Sequence, residues 1–493
     1  MQKKILIIGA GLSGLAVACR LAACGHQVSI FEKRDKPGGK ASVFKVNDFI
    51  FDTGPTQIHM PFLVDEVFNL GGKKREDYFD FLPLDPYYQV IDPSGRSFRM
   101  HADEQVNLDQ IGQLNPDDVA GYQRLLEASE EMYRRGFAWM SRPASPNRVS
   151  LVRHIPKLLR LQPNKPVDQV VSGFIKDEFL QKAFSLHAPL IFGGSPYTAS
   201  SLYTMMHSIE QEWGVHYPIG GVGRMVHALT RLFGDLGGRM HLGTEIVEIL
   251  TQGRKAVGVR LADSGVEYSD RIIVSADSAH LYRQLLKRYR RRIYSSKRLD
   301  RMKYSASQFL LFFATRRRYL DQGLQHHNIL LMPGLEERWK ALFSGAGALQ
   351  YPMLYLHMPT ISDTTLAPEG HELFYASIPV PNMDTRIDWS KVAWPLRETM
   401  ISFLEQNHLP NLRSNIVTET YLTPQYFQDE LNCDKGAAYS FQPLFTQSGW
   451  FRSHNQSREL ENLYLVGDGT SPGSGVHNAF ISARIVDRLI QDV

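Results

Sequence analysis

The stretch ILIIGAGLSGLAVACRLAACGHQVSIFEK at 5–33 constrains this chain more than any other. Residues 5–8 are an apolar run that reads as a buried strand, and 15–23 carry helical periodicity closed by Gly25. Between them stands Gly9-Ala-Gly11-Leu12-Ser13-Gly14, and a second strand over 28–31 ends in Glu32. The three glycines have separate tasks: a tight turn, close backbone approach to a pyrophosphate, and close packing of helix on strand. A lone G-x-G-x-x-G is weak. Preceded by a strand, followed by a helix and answered by an acid 18 residues past Gly14, it predicts a dinucleotide-binding βαβ unit. Glu32 accepts hydrogen bonds from adenosine ribose hydroxyls and repels a phosphate there, which excludes NADP more than NAD or FAD.

A rival reading of the same residues is a signal peptide, with Lys3 and Lys4 ahead of an apolar run and Leu21-Ala-Ala-Cys24 resembling a lipoprotein cleavage site. Arg20 interrupts the apolar region where it should be continuous, so the βαβ reading prevails.

The rest of the composition is ordinary. With 493 residues, 43% hydrophobic and 22% charged, the chain has room for two or three domains. A net charge of +4 does not indicate a strongly basic nucleic-acid binder. Cys19, Cys24 and Cys433 form no CxxC pair and no His/Cys cluster at ligand spacing, so neither a disulfide framework nor a metal site is expected. The longest conspicuous apolar run, FLLFFA at 309–314, is far short of the roughly 20 residues that a membrane span needs.

Two further segments carry structure. Residues 216–249 read as a glycine turn, an amphipathic helix through Met225, Leu229, Leu232, Phe233 and Leu236, and a strand, with a β-meander over 256–277. Gly220-Gly221-Val222-Gly223 lacks the second strand and acid of a nucleotide fingerprint, and so reads as a helix start. Near the C-terminus, 462–466 read as a strand, 467–475 as a glycine loop holding Asp468, and Phe480, Ala483, Val486 and Leu489 recur at helical spacing. Such a loop aims backbone N–H groups and a helix dipole at an anion or a developing negative charge. Residues 105–185 are helix-rich, and 300–450 alternate apolar strands with long loops, without repeats.

Behind Glu32 come Lys33 and KPGGKAS at 36–42, with Gly38-Gly39-Lys40, then FDTGPT at 51–56 with Gly54, Pro55 and Thr56. These resemble the extended FAD fingerprint of flavin oxidases and desaturases. In FAD proteins of the glutathione-reductase type the segment at Ile246 and Val247 packs beside the adenine. Four blocks then run in order over nearly the whole chain: GAGLSGLAVACRLAACGHQVSIFEKRDKPGGKAS, FDTGPT, YPIGGVGRMVHAL, and TPQYFQDELNCDKGAAYSFQPLFTQSGWFRSHNQSRELENLYLVGDGTSPGSGV. They resemble the bacterial-type phytoene desaturase (carotenoid/squalene desaturase) family of FAD-dependent oxidoreductases.

The resemblance implies an α/β fold: a discontinuous Rossmann FAD domain from 1–75, 218–290 and 455–493, a helical, membrane-facing region over 76–217, and an α+β substrate domain over 291–454. It implies FAD as cofactor, a long-chain polyprenoid hydrocarbon as substrate, oxygen or a quinone as electron acceptor, and a peripheral position on the cytoplasmic side of a membrane. Gly467, Asp468, Gly475 and Val476 would complete the flavin site, with the Asp468 carboxylate on a ribityl hydroxyl or nearby backbone. Many relatives carry Ala at the position of Asp468 and an Ile-Pro-Gly run in place of Val476-His477-Asn478, a change in the loop against the flavin.

A saturated carbon offers no group that a side chain readily ionises, so no catalytic triad is expected and no residue is singled out as catalytic. Phe309, Phe312, Phe313, Phe441, Trp450 and Phe451 are candidates for a tunnel wall or for plain core, and His477 for an acid–base or a polar loop residue. Basic stretches at 283–303 and 134–160 suit an anionic lipid surface or a solvated face. Rival functions are a thirty-carbon squalene or dehydrosqualene desaturase, a carotenoid isomerase or oxygenase, an amine oxidase, and a flavin-free prenyl-lipid carrier like the GDP-dissociation inhibitors.

Overall fold

The computed structural model describes residues 2–137, 162–345 and 349–491. Its N-terminal strand, β1 (Lys4–Ile8), lies at the centre of a five-stranded sheet with β2 (Gln27–Phe31), β3 (Arg239–His241), β4 (Arg271–Val274) and β5 (Leu463–Leu465). The order is β3-β2-β1-β4-β5 and every pairing is parallel. Parallel sheets need cover on both faces, which is why β1 reads as a continuous apolar run. Ile5 and Ile7 belong to the cluster that includes Leu15 and Val17 of α1 (Leu12–Ala23). Leu6 and Ile8 point the other way, among Ile246, Ile249 and Val259 of an antiparallel meander (Ile246–Gln252, Lys255–Leu261, Val266–Tyr268).

Three helices meet on the first face: α1, α2 (Val222–Asp235) and the C-terminal α3 (Val476–Gln491). The sequence placed an amphipathic helix at α2, and Met225, Leu229, Leu232 and Phe233 are its buried stripe. Its glycine-rich start is capped from afar, since the Asp52 carboxylate accepts the Val222 and Gly223 N–H groups at 2.8 and 2.9 Å.

Arg20 joins the helices. Its guanidinium, 4% exposed, donates to Asp487 of α3 at 2.9 Å and lies 2.9 Å from Glu66 of the helix Phe62–Leu70. The charge that argues against a signal peptide thus ties the first helix to the last.

A second, seven-stranded sheet orders Ile416–Leu422, Ser307–Thr315, Glu372–Val380, Met353–His357, His327–Leu331, Tyr88–Ile91 and Ser97–Met100. The His327–Leu331 and Tyr88–Ile91 strands pair in parallel, so stretches far apart in the chain build one sheet. Side chains alternate across Ser307–Thr315. Phe309 and Phe313 face the core beneath the helix Trp389–Asn407, while Leu310 and Phe312 face the other cluster. That helix lies in a region whose sequence predicts strands and loops, and it forms despite Pro395 because its buried stripe packs on this sheet.

Truncating Arg20 leaves Asp487 a buried, uncompensated charge. Arg20→Ala is expected to lower the unfolding free energy by about 3–5 kcal/mol, whereas Lys4→Ala, whose pair with Glu267 is exposed, costs less than about 1 kcal/mol. Urea unfolding monitored by far-UV dichroism measures both, and equal losses would contradict the assignment.

Candidate active site

The α1 helix starts at Gly11 with no side chain on its first N–H groups and no acid in its first turn. Its positive end is open to an anion. Any Cβ on Gly14 would lie 2.2 Å from the Gly9 carbonyl oxygen and 3.1 Å from Ser275 Cβ. Gly14 therefore packs helix on strand beneath the loop, while Gly9, Gly11, Leu12 and Ser13 line a cavity of about 340 Å³.

At the end of β2 the Glu32 carboxylate accepts the Ala10 N–H at 2.8 Å and the Arg34 N–H at 3.0 Å. Each oxygen keeps a second lone pair, and Glu32 is on the cavity wall. Lys33 lines it too, its ammonium donating to the Asp429 carbonyl at 2.6 Å and to Asn432 Oδ1 at 3.0 Å.

The second glycine turn stacks on the first, with a parallel bridge between Gly11 and Gly38. The FDTGPT block stacks on that turn in its turn: a Cβ at Gly54 would sit 2.0 Å from the Lys40 carbonyl oxygen. Gly38, Gly39, Lys40, Gly54, Pro55 and Thr56 all reach the wall, as do Ile246, Gly467, Asp468, Gly475 and Val476. Val247 does not. It follows Ile246 on a strand, so its side chain points to the opposite, half-buried face.

Asp468 has a partner that its local sequence did not indicate. Its carboxylate pairs with the Lys40 ammonium at 2.6 Å, across 428 residues of chain, rather than with nearby backbone. Burial works against the Lys40 cation, but Asp468 outweighs it and the ammonium is held above its ordinary range. Arg452, invisible to the sequence reading, anchors the same loop: its buried guanidinium donates to the carbonyls of Asp468, Gln447 and Phe441. Burial, the larger influence, lowers the Arg452 pKa.

Beyond the cradle the wall turns apolar and aromatic, with Pro189, Leu190, Ile191, Leu310, Met353 and Tyr375. These lie where no motif pointed. Of the aromatics that could line a tunnel or fill the core, Phe309 and Phe313 face away from the cavity into the core, and Phe441 packs on Tyr304 in the opposite core. Phe451 is 45% exposed against Phe445, and Phe312 is tucked behind Tyr375 and Phe51. The Trp450 side chain lies outside the described residues. His477 does reach the wall, beside His59, where burial pushes its pKa down to about 3.

Histidines also gather behind the wall. His327 and His357 are cross-strand partners, and with His326 they bring one nitrogen each within 4.8 Å of one another, a convergence that residue spacing did not signal. Hydrogen bonds connect them: His326 Nε2 to His357 Nε2 at 2.9 Å, His326 Nδ1 to Ser362 at 2.8 Å, and His327 Nδ1 to Tyr355 at 2.7 Å. Tyr355 in turn bonds Thr56 on the cavity wall.

A model of flavin-containing amine oxidoreductases matches residues 12–488. The chain is 39% identical to a phytoene desaturase (lycopene-forming) of Pantoea ananas, over 98% of each chain. It belongs to the phytoene desaturase family. A 4,4'-diapophytoene desaturase of a Methylomonas species is 31% identical over 99% of this chain and 95% of its own. Among solved structures an oxidoreductase from Methanosarcina mazei shares the fold, with a TM-score of 0.68, 17% identity and coverage of 98% and 100%.

The buried histidines make stability depend on pH. Burial lowers the pKa of His207, His326 and His477 to about 3 and pushes His327 and His357 well below the ordinary value of 6.5. Unfolded, these rings bind protons near pH 6.5, so the unfolded state binds more protons and stability falls as pH drops below that value. Each contributes a slope of up to about 1.4 kcal/mol per pH unit. The Tm is expected to fall steadily from pH 7 to pH 5, and His326→Gln to flatten that slope; a flat wild-type profile would contradict the neutral cluster.

Proposed function

We propose that the chain is an FAD-dependent desaturase that removes hydrogen from a polyprenoid such as phytoene and lengthens its conjugated system in carotenoid biosynthesis. The observation that carries this is one cavity joining a glycine-rich anion cradle to an apolar, aromatic chamber, in a member of the phytoene desaturase family. The segments 1–75, 218–290 and 455–493 form the flavin unit in this reading, and the remainder the substrate region.

The residues present fit FAD. The N–H groups around Gly9, Gly11, Leu12, Ser13 and Gly14 would take the pyrophosphate, Glu32 the adenosine ribose, and Ile246 the edge of the adenine. Lys33, Gly38, Gly39, Lys40, Gly54, Pro55 and Thr56 would enclose the middle of the cofactor, and Gly467, Asp468, Gly475 and Val476 the flavin end. When bound, the flavin supplies the hydride acceptor that no side chain can replace. The α3 N-terminus, which carries no acid in its first turn, stabilises negative charge arriving above it. The chamber holds the hydrocarbon and excludes water.

Leaving a forty-carbon hydrocarbon in water costs on the order of 30 kcal/mol at about 0.8 per carbon group, so the substrate passes straight from lipid. No described helix is long and apolar enough to cross a membrane. Peripheral attachment on the cytoplasmic side, with the helical region over 76–217 facing the bilayer, is the corresponding proposal. Most of 134–160 lies outside the described residues. In 283–303, Arg283 pairs with Asp300 and Asp434, and Arg288 with Glu248. Arg290, Arg292, Lys297 and Arg301 are exposed. Replacing those four with Gln is expected to cut co-sedimentation with anionic vesicles, at about 1 kcal/mol per charge; unchanged binding would remove this surface from the proposal.

The function is tested in cells that make phytoene but no coloured carotenoid. New pigments absorbing at longer wavelength are expected, with oxygen or a quinone as final acceptor. Unchanged phytoene beside a yellow protein would transfer the assignment to a shorter substrate, of the kind named for the Methylomonas relative.

A further inference from the structure

Taking a hydride from a saturated carbon leaves a cation whose neighbouring C–H bond must lose a proton. In a chamber that excludes water, a side chain must take it. The titratable groups on the cavity wall are mostly committed elsewhere. Glu32 holds two backbone N–H groups, Asp468 holds Lys40, and Asp277 caps the helix Ser278–His280. Tyr355 and Tyr375 are phenols that burial pushes further up, and so are acids rather than bases. Burial leaves His477 a weak base.

His59 stands apart from these. It lies on the wall at the end of the short strand Ile58–His59, next to Met60, whose φ of 55° is uncommon for a non-glycine residue. Its Nε2 is 3.1 Å from Glu210 Oε1. Glu210, 2% exposed on the helix Met206–Trp213, has its other oxygen 3.0 Å from His187 Nε2 and 3.3 Å from the Tyr88 hydroxyl. Burial works against this carboxylate, but His187 and His59 outweigh it and hold its pKa well below the ordinary range. The carboxylate occupies His59 Nε2, which leaves Nδ1 as the ring atom open to the proton of a substrate.

We propose that His59 is the proton acceptor of the desaturation and that Glu210 is its positioning residue, an inference that rests on the desaturase reading. One substrate C–H bond would give up its hydride, with both electrons, to the FAD that the cradle around Gly9–Gly14 and the loop at Gly467–Val476 would hold. The adjacent C–H bond breaks, its proton goes to His59 Nδ1, and its electron pair becomes the new C=C bond. Glu210 stabilises the imidazolium, which returns its proton to solvent before the next turnover. His187 and Tyr88 keep the carboxylate in place.

The test uses the full-length, flavin-loaded protein with phytoene in liposomes. His59→Gln is expected to lower kcat by about 100-fold or more, with KM and the visible flavin spectrum unchanged. His59→Ala is expected to recover turnover as imidazole is added. Glu210→Gln is expected to lower kcat, and Glu210→Asp to recover part of it at unchanged KM. A His59→Gln enzyme within about threefold of wild-type kcat would overturn the proposal, as would a folded, yellow His59→Ala enzyme that imidazole does not rescue. A wild-type protein inactive on phytoene would instead count against the desaturase reading itself.

Discussion

The parallel pairing of β4 with β1 on one side and β5 on the other is the constraint on which the site depends. It sets the glycine loop after β1 beside the loop that follows β5, although more than four hundred residues separate them. Neither loop is a site alone. The loop after β1 supplies N–H groups, the loop after β5 supplies Asp468, and the second glycine turn, bridged to the first at Gly11 and Gly38, supplies the Lys40 that pairs with Asp468. The Arg20–Asp487 contact reinforces the same arrangement from beneath, where α1 packs on α3.

The second organising feature is polarity placed inside an apolar region. Buried polar groups are costly unless they are bonded to one another. Here the bonds are shared: Tyr355 links the Thr56 hydroxyl to His327, and Glu210 links His59 to His187. The result is a largely apolar chamber whose wall also carries oriented imidazoles and phenols. That combination suits chemistry in which the cofactor removes the electrons and the protein need only place the carbon and collect a proton.

Local patterns carried much of this into view. The βαβ unit, α2 and the strand, loop and helix at the C-terminus each reveal themselves within about thirty residues, because their periodicity and turn chemistry are local. The cavity assignments made from those patterns fall on one wall, with Gly14 and Val247 as the exceptions, each displaced by the packing of its own element. The aromatics of 309–313 fared differently. A strand buried on both faces reads as unbroken apolar sequence, so nothing in FLLFFA says which phenylalanines meet the helix Trp389–Asn407 and which meet the cavity side.

The nucleotide-binding start and the acid that follows it were legible because their residues lie close together in the chain, and the family, hence the flavin, because each of its four blocks is itself local. Folding alone brings together what depends on distant partners: Asp468 with Lys40, Arg452 with the loop after β5, and His59 with Glu210. Such pairings are set by sheet order and register, and a carboxylate on one helix carries no local mark of the imidazole it will bond across 151 residues.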